Sequence, residues 1–360
     1  MERVAAYMGA CMTPVMIACR PCGDGHPVHI AFEIGPTIDS VDTALTLTRV
    51  AGGAGANAIK VQLLRPDRLI GRDTEVTYQL ADGETVTESM LAILRRRVLT
   101  PDEWKAVKAE ADRCGLAFIA TVDVPSSLAL AVDLGAHALK ICSGDVTMLD
   151  WIAEVASMGG PVLLDTGHAT LGEIERAVDV ALEGGAAGVV LHIVPTGYPA
   201  RLESINLRMI TTMRQVFGDE IAIGFSDHTP GWNIDLAAVA LGAHQIEKTL
   251  TLDRATRGPE HMMSIDPQEA GEFVRAIRDV EIALGHPRRR FTPEERRRKQ
   301  PARRSAFLAR DLRIGQVITE SAIEWRRPGD GIAPAELPYL VGRAVRHDLP
   351  AGHEIERGDI

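Results

Sequence analysis

Three lysines of this chain sit inside short apolar runs: Lys60 in Ala58-Ile-Lys-Val-Gln62, Lys140 in Ala138-Leu-Lys-Ile141 and Lys248 in Gln245-Ile-Glu-Lys-Thr249. Lys and Arg together number 39, yet the lysines are six, so arginine is the ordinary surface cation here. An ammonium taken out of water needs an anion or a carboxylate beside it. Lys60 and Lys140 together point to one shared anionic ligand. Internal pairing, Lys60 with Glu33 and Lys248 with Glu247, is the competing reading, and for Lys248 it is the equal of any other. Ser143-Gly144, Thr166-Gly167 and Ser226 add hydroxyls and turn N–H groups, a set suited to phosphate. Glu33, Gln62, Thr121, Asp123, Asp145, Asp165, His168, His192, Tyr198 and His228 also stand at or just past the ends of apolar runs. Ser226-Asp-His228 is no hydrolase triad, because neighbours on a strand face opposite ways.

Something must hold these residues around one point. Between His29 and Gly285, short β-branched runs alternate with longer stretches of helical periodicity. Strands are predicted at His29–Gly35, Ala58–Leu64, Ala117–Asp123, Ala138–Gly144, Pro161–Gly167, Gly188–Pro195, Ile221–His228 and Gln245–Leu252. Thr100-Pro-Asp-Glu103 and Thr170-Leu-Gly-Glu173 have helix-start spacing. Eight βα units over residues 29–285 match the ~250 residues of a TIM (β/α)8 barrel. The first strand ends in Glu33-Ile-Gly35-Pro36, without the glycine fingerprint that a doubly wound dinucleotide fold would carry there. In a barrel, reactive groups project from the carboxyl ends of the strands, which is where the residues above fall. The stretch Leu64–Thr100 is too long for a plain turn and predicts a lid or extra helix over the barrel mouth.

The remainder reads as follows. Residues 1–28 form an irregular extension; Cys19 and Cys22, with Cys11, His26 and His29 nearby, have a spacing that can hold zinc, but a lone Cys-x-x-Cys pair carries little weight. Val15–Cys19 loosely resembles a lipoprotein cleavage site, against which Pro14 breaks the apolar run. Five cysteines in 360 residues do not make a disulfide scaffold. Residues 286–304 form a linker in which nine of nineteen are Lys or Arg. Residues 305–360 read as a small, mostly β domain. A net charge of −10 argues against a sequence-independent nucleic-acid binder. No uncharged apolar stretch of ~18 residues is present, so no membrane partner is expected and a cytoplasmic location is.

Lys140-Ile-Cys-Ser-Gly-Asp145, Leu164-Asp-Thr-Gly-His-Ala-Thr170, Gly224-Phe-Ser-Asp-His-Thr229, Ile246-Glu-Lys248, Leu252-Asp-Arg254 and Gly258-Pro-Glu260 resemble the motifs of the sialic acid synthase (N-acetylneuraminate synthase) family. Arg304-Ser305, Ala309-Arg-Asp311 and Arg326-Arg-Pro-Gly329 resemble that family's C-terminal antifreeze-like (SAF) domain. The resemblance runs in order over about residues 30–360. It implies a transferase that condenses phosphoenolpyruvate with the aldehyde of an N-acyl hexosamine, giving a nonulosonic acid and phosphate. By the same resemblance Lys60, Lys140, Ser143 and Ser226 hold phosphoenolpyruvate; Thr121 and Thr166, by their place at strand ends, are further candidate substrate contacts. Glu33 is the acid/base and Gln62 its neighbour. Asp145, Tyr198 and Glu260 face the sugar. His228 binds a divalent Mn2+ or Mg2+, and Arg327 reaches the acyl group from the partner subunit of a domain-swapped homodimer.

The chain also departs from that pattern. Thr249 stands where the family has a second metal histidine, which implies a weakly held ion. Asp165 stands where a serine is expected, and needs Lys140 or a metal to offset its charge. Phosphoenolpyruvate condensation with a different aldehyde sugar, or a catalytically degenerate carbohydrate-binding homologue, are the alternative readings.

Overall fold

The computed structural model describes residues 13–218 and 220–360. Eight parallel strands close into a barrel: β1 (His29–Glu33), β2 (Ala58–Gln62), β3 (Ala117–Thr121), β4 (Ala138–Ile141), β5 (Val162–Asp165), β6 (Val189–Ile193), β7 (Ala222–Asp227) and β8 (Gln245–Thr249). β8 closes on β1 with Thr249 opposite Glu33. Strands buried on both faces read as continuous apolar runs, which is why the sequence finds them. Each stops somewhat sooner than predicted, because the last polar residues of each run leave the ladder and become the loops of the mouth. The predicted helix starts are in place: Thr100 and Glu103 cap each other at 3.3 and 2.7 Å, and Glu173 Oε2 accepts the Thr170 N–H at 2.7 Å.

The barrel floor corrects one expectation. Residues 13–28 are not irregular: Val15–Ile17 and Arg20–Cys22 form an antiparallel hairpin. The floor is lined by small residues, Ala31, Ala58, Ala117, Ala138 and Ala222, which leave the space that bulky side chains fill in other barrels. Val15, Ile17 and Cys22 fill it from below, all at most 3% exposed. Three-residue strands carry no periodicity, so the sequence gives no sign of them. Cys22 donates its thiol to the His244 carbonyl at 3.5 Å while Cys19 is exposed; Cys11 lies outside the described residues.

The excursion from β2 to the helix Pro101–Arg113 holds two short helices, Pro66–Leu69 and Met90–Arg95, and a hairpin, Glu75–Gln79 with Thr85–Ser89. The chain divides into two compact units between Gly285 and His286. The second carries a basic helix, Pro293–Ala302, that buries no residue. A hairpin follows, Ser305–Leu308 with Ile323–Arg326, over a core that includes Leu308, Leu312, Ile318, Leu340, Leu349 and Ile355. Arg327 follows that hairpin and is exposed. No helix among the described residues is long and apolar enough to cross a membrane.

Candidate functional site

The carboxyl ends of the strands surround a cavity of about 260 Å3. Glu33, Lys60, Gln62, Thr121, Ser143, Tyr198, Ser226, His228, Thr249 and Glu260 all line it, so ten of the residues singled out from the sequence meet at one place. Register explains the meeting. Glu33 pairs with Lys60, Gln62 with Thr121, and Ser226 with Glu247 across neighbouring strands, so each couple faces inward at the same height.

Part of the cavity wall is a buried ion network of Glu33, Lys60, Asp165 and Glu247, with Lys140 behind it. Lys140 donates to both oxygens of Glu247 at 2.8 and 2.9 Å and to Asp165 at 2.9 Å. Lys60 pairs with Glu33 and lies 3.2 Å from Glu247. The expected offset of Asp165 by Lys140 is therefore present. Burial works against the charge on Lys140, but Asp165 and Glu247 outweigh it and raise its pKa. Burial also works against the Glu247 carboxylate, and Lys140 with Lys60 outweighs it and holds it ionised. Lys60 fares differently: burial dominates and lowers its pKa. Three carboxylates thus share two ammoniums.

Two expectations fail here. Lys248 does not pair with Glu247: it faces outward to Asp227 and lies 3.5 Å from Asp235, under the helix Asn233–Ala240. Glu247 faces inward, as period-two alternation demands of its neighbour. Thr166 does not reach the cavity: its hydroxyl donates to the His192 carbonyl at 2.9 Å. The neighbouring Gly167 takes the position instead, its N–H donating to Ser143 Oγ at 3.0 Å, and a Cβ there would stand 2.9 Å from that oxygen.

Glu33 is oriented by the Gly35 N–H at 2.6 Å and by Gln62 at 3.5 Å. A Cβ on Gly35 would lie 2.7 Å from the Gln62 nitrogen, so the turn after β1 admits nothing larger than glycine. His228 has Nδ1 3.0 Å from the Pro195 carbonyl, a contact that requires a ring N–H there and leaves Nε2 with its lone pair. No described residue hydrogen-bonds Nε2, and burial lowers the imidazole's pKa, keeping it neutral. Tyr198 packs on that ring with centroids 4.5 Å apart. One step beyond the Asp227–Lys248 pair, Thr249 stands beside His228 with a hydroxyl where a second imidazole was expected. The donor set fits a divalent ion held by one nitrogen and by oxygen ligands. A second group capable of holding an ion is Asp123, Cys142 and Asp145, whose ligand atoms lie within 4.8 Å of one another.

Asp145 lines a second, larger cavity of about 490 Å3 that opens beside the first. Arg97 reaches this junction from the excursion and meets Glu260 at 3.3 Å. Sequence reading missed Arg97; nothing in its neighbourhood but a charged residue among Leu94, Val98 and Leu99 marks it. Glu247 stands at the end of the last apolar run and in the Ile246-Glu-Lys248 motif, but the sequence suggested only Lys248 as its partner. Arg327 belongs to the second unit.

Comparison with known proteins follows the same line. The NeuB family profile matches residues 47–289, and the SAF domain profile matches residues 303–355. The N,N'-diacetyllegionaminic acid synthase of Campylobacter jejuni is 31% identical over 306 residues, covering 84% of this chain and 91% of that one. The human N-acetylneuraminate-9-phosphate synthase is 27% identical, with 91% of this chain and 90% of its own length covered. Among solved structures, the N-acetylneuraminic acid (sialic acid) synthetase of Leptospira borgpetersenii superposes with a TM-score of 0.71 at 26% identity, covering 80% of this chain and 95% of that one.

Proposed function

The chain is an enzyme of the NeuB family, and on that premise we propose that it condenses phosphoenolpyruvate with the open-chain aldehyde of an N-acyl hexosamine. The product is a nonulosonic acid, and phosphate is released. The observation that carries this reading is the convergence of Glu33, Lys60, Ser226 and His228 on one cavity, together with Glu247, which holds the buried Lys140.

Phosphoenolpyruvate is the anion that Lys60, Lys140, Ser143 and Ser226 receive. Its charge competes for ammoniums now shared among Glu33, Glu247 and Asp165. The exchange swaps one anion for another and avoids leaving a bare buried ammonium. The methylene carbon of phosphoenolpyruvate bonds to the aldehyde carbon, whose oxygen takes up a proton. Water adds at C2 and gives a proton to Glu33. The tetrahedral adduct then expels phosphate with the bridging oxygen, and the C2 hydroxyl loses its proton as the keto group forms. Gln62 and the Gly35 N–H keep Glu33 aimed.

A divalent Mn2+ or Mg2+ bound at His228 with oxygen donors would polarise the aldehyde. Glu260, Tyr198 and Asp145 face the sugar. Arg327 of the partner subunit's SAF domain contacts the acyl group in a domain-swapped homodimer, and the basic segment 286–304 supplies the reach. The test is phosphate release from phosphoenolpyruvate with a panel of N-acyl hexosamines: release that depends on one of them supports the reading, and no release with any of them contradicts it.

A further inference from the structure

A file of buried polar side chains runs up the inside of the barrel. His29 on β1, Gln245 on β8, His192 on β6 and Asp165 on β5 follow one another at 2.8, 2.7 and 3.1 Å. Asp165 ends the file: it meets Lys140 at 2.9 Å and lines the cavity. Register sets His192 opposite Asp165 on one side and Gly224 on the other. A Cβ on Gly224 would stand 2.7 Å from His192 Nε2, so β7 gives up a side chain to seat the ring. Hydrogen-bond accounting then assigns the protons. His192 Nδ1 faces Asp165 Oδ1 and His192 Nε2 faces Gln245 Oε1, two acceptors. Burial works against the Asp165 carboxylate, but Lys140 and His192 outweigh it and hold it ionised, so it has no proton to give. Gln245 spends its amide N–H on His29 Nδ1. Burial pushes His29 down to about 3, so that imidazole stays neutral. Both ring nitrogens of His192 are left to donate.

We propose that His192 is a buried imidazolium, the third cation of the mouth's ion network, and a positioning residue that holds Asp165 so that Lys140 is free to turn to the substrate's anion. Glu33, Asp165 and Glu247 outnumber Lys60 and Lys140 by one charge. With His192 charged, three carboxylates face three cations, and the empty mouth no longer carries a surplus that repels phosphoenolpyruvate. When that anion takes the Lys140 ammonium, Asp165 keeps His192 as its partner and is not left bare. The device answers this chain's own departure: Asp165 stands where a serine was expected, and a neutral hydroxyl would need no third cation. The opposite setting of the Gln245 amide would let Gln245 donate to a neutral His192, and that is the arrangement the experiment must exclude.

This inference rests on the synthase reading above for the identity of the anion. Two measurements on the full chain decide it. Nitrogen-15 spectra of histidine-labelled protein at neutral pH, with the His192 signals assigned by their loss in His192→Asn or their shift in Asp165→Asn, show both ring nitrogens protonated. One bare nitrogen on His192 overturns the inference and leaves the synthase reading standing. Calorimetry with phosphoenolpyruvate supplies the second readout, with the fold of each variant checked by thermal melting. His192→Asn keeps a donor towards Asp165 but removes the charge, and raises the Kd about tenfold or more. Asp165→Asn added to His192→Asn removes the surplus carboxylate and restores most of the lost affinity, which a purely structural role for the ring would not do. A double variant that binds no better than His192→Asn overturns the inference. A wild-type chain that binds no phosphoenolpyruvate overturns the synthase reading, and with it the role of His192 in admitting the substrate, whatever charge the spectra show.

Discussion

Lys140 donates to both oxygens of Glu247, at 2.8 and 2.9 Å, and both side chains are almost wholly buried inside the barrel. The pair is the hinge between stability and chemistry here. On the proposed reading it holds in readiness an ammonium for phosphoenolpyruvate, and neither partner tolerates loss of the other. Removing one member of a buried pair leaves an uncompensated charge and costs about 3–5 kcal/mol. Lys140→Ala is expected to lower stability by that order in denaturant unfolding, and to weaken phosphoenolpyruvate binding in calorimetry. Lys60→Ala weakens that binding as well. Unchanged affinity in both variants would remove the lysines from the phosphoenolpyruvate site.

Asp123 gives a pH signature. Burial, with the Asp145 charge adding to it, pushes its carboxyl up from 3.8 to about 6. The folded state therefore holds a proton that the unfolded state has released between those values, and stability falls as pH rises through the folded pKa. The shift corresponds to roughly 3 kcal/mol. Asp123→Asn keeps the shape and removes the titration. Its unfolding free energy should fall less than the wild type's between pH 4 and pH 8. Parallel curves would show that Asp123 is already satisfied.

The metal prediction follows from His228 Nε2 and its neighbour Thr249. With one nitrogen ligand the ion is weakly held, so activity depends on added divalent ion. Thr249→His tightens Mn2+ binding measured by calorimetry, and His228→Ala abolishes it. A thiolate-to-cobalt absorption band on titration with Co2+, lost in Cys142→Ser, would place the ion at Asp123, Cys142 and Asp145 instead. Full activity after exhaustive chelation would dispense with the ion altogether.

The domain-swapped dimer is tested by complementation. A Glu33→Gln chain and an Arg327→Ala chain are each expected to have little activity, the first through its barrel, the second through acceptor binding. Mixed and allowed to exchange subunits, they regain activity, because one intact barrel meets one intact SAF domain. Recovery requires that the two halves act across the interface; if mixing restores nothing although mixed dimers form, the cap acts on its own barrel.

The sequence makes the barrel legible because strands covered on both faces are apolar throughout, and because each strand's last polar residues fall at the mouth by the geometry of the fold. Glu33, Lys60, Gln62 and Ser226 were readable for that reason. The direction of Glu247 was not. Alternation says that Glu247 and Lys248 face opposite ways, but which one faces inward depends on how β8 closes on β1. Thr166 was misplaced because a turn hydroxyl can satisfy a backbone carbonyl as readily as a ligand. The hairpin at residues 15–22 stayed hidden because its justification is the row of alanines on the floor, spread over five strands. Arg97 sits in an excursion whose path no periodicity fixes.

The most direct test of the whole account follows the bridging oxygen of phosphoenolpyruvate. With that oxygen isotopically labelled, and with the acceptor that supports phosphate release, mass spectrometry of the products shows which bond broke. Attack of water at C2 predicts that the label leaves in inorganic phosphate and that the nonulosonic acid's keto oxygen comes from solvent. Label retained in the sugar acid, or phosphate release that proceeds without any acceptor, would contradict the assignment of Glu33, Lys60 and the Lys140–Glu247 pair to this condensation.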